Sequence, residues 1–103
     1  MKVISSVGPV EVEAEEIAPG LFITPFIDGG KAVAGWTVTG GAGYCLPHMP
    51  LCRNRARKLA RDLAKLGDWS GNPGNRSDLM LARIDVEQVL VLCRKAEAEP
   101  FCE

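Results

Sequence analysis

Six of the twelve basic residues in this 103-residue chain fall between positions 53 and 65: Arg53, Arg55, Arg57, Lys58, Arg61 and Lys65, with Asp62 the one acidic residue among them. Arginine and lysine grouped on one surface neutralise phosphates and release their counterions, and the arginine fork can also pair with base edges. The chemistry this predicts is contact with a nucleic acid. The flanks are acidic: residues 1–50 carry two basic against five acidic side chains, and residues 67–103 carry four against seven. A formal net charge of -1 therefore hides a basic segment set between two acidic ones. The opposing reading is a solvated helix face balanced by those flanks, in keeping with an isoelectric point near 5.8.

Cys45, His48 and Cys52 form a second group, spaced C-x2-H-x3-C. Thiolates and a neutral imidazole are zinc ligands, and Cys93 or Cys102 would be the fourth. The paired C-x2-C knuckles of strong zinc motifs are absent, and both cysteines have apolar neighbours, so packing or free thiols is the reading set against zinc. No cofactor is expected. A nucleophilic enzyme would have to draw on His48 with Cys45 or Cys52, and no Asp or Asn motif accompanies them to orient such a pair. Gly40-Gly41-Ala42-Gly43 matches neither phosphate-loop pattern and reads as a hairpin tip. Glu11, Glu13, Glu15 and Glu16 read as a solvated strand face rather than an acid/base pair. The chain is expected not to be an enzyme.

The elements that must position these residues change period halfway along. Val3 to Val7, a break at Gly8-Pro9, and Val10 to Ala14 predict a β-hairpin, with Val10, Val12 and Ala14 alternating against Glu11, Glu13 and Glu15. Leu21 to Ile27 is a further strand, its Pro25 calling for an edge or a bulge. Asp28-Gly29-Gly30 is a turn, Ala32 to Thr39 the next strand with Trp36 as core anchor, and Tyr44 to Leu46 a short last one. From residue 51 the spacing is helical: Cys52, Ala56, Leu59, Ala60, Leu63 and Leu66 form one stripe, while Arg53, Arg57, Arg61 and Lys65 recur every four residues on another face. A helix over 51–66 follows, with Gly67 as its left-handed terminator. Trp69 is expected to fold back onto the domain ahead of a loop at 70–76. Ser77 opens a short helix to about Arg83, and Asp85 with Gln88 opens a last one. The run Val89-Leu90-Val91-Leu92 would alternatively make a strand of 88–93.

These readings add up to one α+β domain over 1–103: strand-rich at 1–49, the basic helix at 51–66, a loop at 70–76 and helical at 77–98. Its architecture is an antiparallel meander of four to five short strands packed by one amphipathic helix, with one or two further C-terminal helices. The length and the 47% hydrophobic content suit a single core. No window approaches the roughly 18 apolar residues of a membrane span, no signal-peptide core is present, and the four cysteines are read chiefly as reduced, so a cytoplasmic protein without membrane contact is expected.

Gly35-Trp36-Thr37-Val38-Thr39, the glycine turn, the short strand, the Ala/Leu/Arg helix and the closing Gly67-Asp68-Trp69-Ser70 resemble a pattern in small uncharacterised proteins of phages and plasmids from high-GC bacteria. The resemblance spans residues 35–70 and implies a mobile-element setting, where small non-enzymatic binders are common. The function expected is nucleic-acid binding through Arg53, Arg55, Arg57, Lys58, Arg61 and Lys65. Its competitor is a protein interaction or inhibitor module, as a homodimer or with another partner, using the acidic strand face or the C-terminal helix.

Overall fold

The computed structural model describes residues 1–73 and 76–98, and of residue 76 the backbone alone. Five strands precede three helices: β1 (Lys2–Ser5), β2 (Gly8–Glu11), β3 (Glu15–Ala18), β4 (Leu21–Asp28), β5 (Lys31–Gly40), α1 (Arg53–Ala64), α2 (Arg76–Leu81) and α3 (Val86–Ala98). The α+β class, the antiparallel pairing and the packing helix agree with expectation. The strands divide into a two-stranded ribbon, β1-β2, and a three-stranded sheet in the order β3-β4-β5.

Local differences have local causes. The first hairpin turns at Ser6 and Val7, because Ser5 pairs with Gly8 and Ile4 with Pro9; Gly8-Pro9 thus belongs to β2. The Ser5 hydroxyl donates to the Gly8 carbonyl at 2.7 Å and closes that turn. The chain leaves the ribbon after Glu11 and starts a new strand at Glu15, which places Glu15 on a different element from Glu11 and Glu13. Pro25, with no amide to donate, lies opposite Trp36, and the register slips between Pro25 and Phe26 as the bulge rule anticipates. Ala34 and Gly35 take up the slip without partners in β4; the φ of +105° at Gly35 is costly for any side chain, and its missing Cβ leaves room for Pro50.

One face of the sheet carries Leu21, Ile23 and Val38, all fully buried against Ala56, Leu59, Ala60 and Leu63 of α1. α1 lies between this face and α3, which contributes Val89, Cys93 and Ala96. Trp69 returns to the core as expected, 2% exposed, its indole N–H donating to the Leu63 carbonyl at 2.9 Å. Trp36 is only half-buried, so the anchoring role expected for it falls to Trp69.

α1 begins behind Cys52, which makes no side-chain cap, and ends in a tight turn in which Lys65 N–H donates to the Asp62 carbonyl at 3.2 Å and Leu66 N–H to that of Leu63 at 3.0 Å. Gly67 is not left-handed; it is small because Ile84 presses against it. The left-handed terminator belongs to α2 instead. Arg83 has φ +61°, Ile84 N–H donates to the Leu79 carbonyl at 2.9 Å, and Arg83 N–H to that of Met80 at 3.0 Å, which is the Schellman arrangement. Asp85 caps α3, its Oδ1 accepting from the Glu87 amide at 2.9 Å and the Gln88 amide at 3.4 Å, so 86–98 is helix rather than strand. Among the described residues no helix is long and apolar enough to cross a membrane.

Candidate nucleic-acid interface

At 3.6 residues per turn the buried stripe of α1 (Ala56, Leu59, Ala60, Leu63) leaves Asn54, Lys58, Arg61 and Lys65 on the opposite side. All four are exposed. Arg53 and Arg57 stand on the flank toward β3, and Arg55 and Asp62 on the flank toward α3. The i, i+4 row of Arg53, Arg57, Arg61 and Lys65 therefore winds off one face onto another.

The β3 flank is closed by Glu15. Arg57 donates from Nε to Glu15 Oε2 at 2.8 Å and from Nη2 to Oε1 at 2.7 Å, the two-pronged geometry of a strong charge-assisted pair. Arg53 Nη2 stands 3.6 Å from Glu15 Oε1, with its guanidinium carbon 5.0 Å from the centre of the Trp36 ring. The hydrogen bonds from Arg57 hold the Glu15 carboxyl below its ordinary range, and the same pairing raises Arg57. These two arginines fasten the helix to the sheet edge. On the other flank, Arg55 Nη1 reaches the Ala96 carbonyl of α3 at 3.4 Å.

Arg61 is exposed, and the Lys65 side chain is 78% exposed with its ammonium 3.9 Å from Asp62 Oδ1, a loose pair of small energetic weight. Lys58 opens onto a shallow pit between α1 and α3 that is also lined by Arg55, Asp62 and Lys95. Lys95 is the cation that sequence spacing missed, because it lies 30 residues beyond Lys65 and joins this surface only when α3 packs on α1.

Cys45, His48 and Cys52 have other partners. Cys52 is disulfide-bonded, against the expectation of reduced cysteines, and its sulfur is thereby removed from any metal site; Cys45 and Cys93 are free thiols. Cys102, named with Cys93 as a fourth ligand, lies outside the described residues. The Thr39 hydroxyl donates to Cys45 Sγ at 3.6 Å. His48 is buried; its Nε2 accepts from the Val38 amide at 3.2 Å, so its Nδ1 carries the proton and donates to the Met49 carbonyl at 2.7 Å. Both ring nitrogens are engaged, and burial pushes the imidazole below its ordinary pKa. No group of three potential ligands converges among the described residues.

A third feature was not foreseen. Tyr44, Leu46 and Pro47 face Leu79, Val86 and Leu90 across an apolar groove of about 280 Å³, with Trp69 at its base. Tyr44 is half exposed at its mouth. Trp69 is buried and Trp36 lies beneath Arg53, so neither offers an open ring face for stacking on a base. No family model, no curated protein and no solved structure matches this chain.

Proposed function

We propose that the chain is a small non-enzymatic binding protein that contacts the phosphate backbone of a nucleic acid through the outward stripe of α1. The observation that carries this reading is the alignment of exposed Lys58, Arg61 and Lys65 on the side of the helix opposite its buried residues. Successive members stand about 4.5 to 6 Å apart along the axis at a rise of about 1.5 Å per residue. Lys95 extends the same surface across the α1-α3 pit. Arg53 and Arg57, held by Glu15, stay behind it. The contact is one of backbone neutralisation without base readout, which makes affinity fall with salt and depend little on sequence. A mobile-element setting accords with the resemblance of residues 35–70.

Titration with generic duplex and single-stranded DNA, beginning at low salt, tests the reading. Binding that weakens as salt rises, and that is lost in a Lys58→Ala/Arg61→Ala/Lys65→Ala variant, is expected. No binding to either form at low salt overturns it.

The apolar groove favours a second reading, a protein-interaction module in which a partner or a second copy of the chain seats apolar side chains between Tyr44 and α3. A monomeric mass by light scattering at high concentration removes the homodimer from that reading.

A further inference from the structure

Residues 44–51 run alongside β5 without pairing continuously to it. Leu46 N–H donates to the Val38 carbonyl at 2.9 Å, and at the far end Trp36 and Leu51 exchange bonds of 2.7 and 2.9 Å. Between these points the Val38 amide points at the crossover with no carbonyl opposite. The His48 ring takes the place of one, Nε2 accepting at 3.2 Å. The connection continues through the ring: Nδ1 donates to the Met49 carbonyl at 2.7 Å, and the Met49 amide donates to Glu97 Oε1 at 2.6 Å. One imidazole thus joins the edge of β5 to α3.

This arrangement requires the ring to be neutral. A proton on Nε2 turns the acceptor into a donor facing another donor, the Val38 amide. Nε2–H has the Thr37 hydroxyl, at 3.3 Å, as an alternative partner, but the Val38 amide is then left buried without an acceptor, which disfavours the closed arrangement. β5 presents to the ring only that hydroxyl and amide, the crossover its Met49 carbonyl, and α3 the Glu97 carboxylate, the one charged group acting on the ring among the described residues. Glu97 favours the protonated ring, while burial, the larger influence, opposes it.

We propose that His48 is an acid-sensitive latch: protonating its imidazole releases residues 44–49 of the crossover from the edge of β5 while the core between the sheet and the helices, Leu51 included, stays folded. The separation of the two parts follows from the core's composition. Its buried members come from β4, β5, the helices, Trp69 and Ile84, and from the crossover only Leu51, at the α1 end, with Leu46 packed part-buried against it. The residues that would move include Tyr44, Leu46 and Pro47, one wall of the apolar groove. Acid therefore opens the groove and bares the Val38 side of β5 together. Because the ring is depressed in the folded state, the latch is fully closed above the ordinary histidine value of about 6.5, and its hold weakens as pH falls below it.

The test is amide hydrogen exchange and ring 15N NMR on the full chain between pH 7.5 and 4.5. The ring is expected to titrate below 6.5 from the Nδ1–H form. The protection factor of the Val38 amide should fall by up to tenfold per pH unit in that window, while that of Leu63 in α1 holds. In His48→Gln, whose side-chain carbonyl is an acceptor that does not titrate, Val38 protection should lose its pH dependence. Three results overturn the latch: ring titration with unchanged Val38 protection, a ring neutral throughout with Val38 protection still falling, or loss of Val38 and Leu63 protection together. The wild-type measurements decide the matter even if His48→Gln does not fold.

Discussion

Arg57 of α1 grips Glu15 of β3 across 42 residues of chain, Nε to Oε2 at 2.8 Å and Nη2 to Oε1 at 2.7 Å. Glu15 is thereby removed from the acidic strand surface and Arg57 from the basic helix surface. The pair is also the seam between the two halves of the fold, since β3 is an edge strand of the sheet and α1 the helix packed on it.

Glu15→Gln and Arg57→Gln should each destabilise the fold, and the double variant should cost less than the sum of the two. Thermal unfolding of the four proteins measures that coupling. The folded Glu15 carboxyl is depressed, so its contribution is present in full above its unfolded value, near 4.5, and is lost as pH falls through the folded one. Glu15→Gln should therefore flatten the fall of stability with acid below about pH 4.5.

Cys45 and Cys93, the free cysteines among the described residues, should separate in reactivity. Cys45 is exposed, whereas burial and the nearby Glu97 push the Cys93 thiol up to about 11. At pH 8 a thiol-specific alkylating agent should modify Cys45 within minutes and leave Cys93 untouched until denaturant is added, as peptide mass mapping will read.

Arg83 holds a left-handed conformation at the end of α2 that glycine adopts without steric cost. Arg83→Gly should stabilise the domain by about 1 kcal/mol, seen as a higher denaturant midpoint at unchanged slope. Gly20 is the converse case. Its φ is +83°, and an added Cβ would collide with the Trp69 carbonyl, so Gly20→Ala should cost more than about 1 kcal/mol in the same assay.

What could be read from sequence was what local chemistry decides. The stripe of Ala56, Leu59, Ala60 and Leu63 announces α1, Asp85 with Gln88 announces the start of α3, and Pro25 announces a bulge. Each signal lies within a few residues of its effect. Glu15 escaped because period-two alternation continues through 10–15 although the strand does not, and its partner lies a helix away. His48 escaped because its partner is a backbone amide of β5, which no spacing of side chains reveals. The four-residue recurrence of Arg53, Arg57, Arg61 and Lys65 was real, but such a row drifts around an α-helix, and only the docked sheet decides which members face inward.

Arg53 and Arg57 hold the sheet and Arg55 reaches α3, while Lys58, Arg61 and Lys65 form the outward stripe proposed to meet phosphate. The most direct measurement is the dependence of duplex-DNA affinity on salt for wild type, Arg53→Gln/Arg57→Gln and Lys58→Gln/Arg61→Gln/Lys65→Gln, each shown to be folded by circular dichroism. At about 0.9 per neutralised phosphate, the stripe variant should lower the magnitude of the log-log slope by about 2 to 3, with the Arg53/Arg57 variant keeping the wild-type slope. A slope unchanged by the stripe substitutions, or one lost with Arg53 and Arg57 instead, contradicts the account.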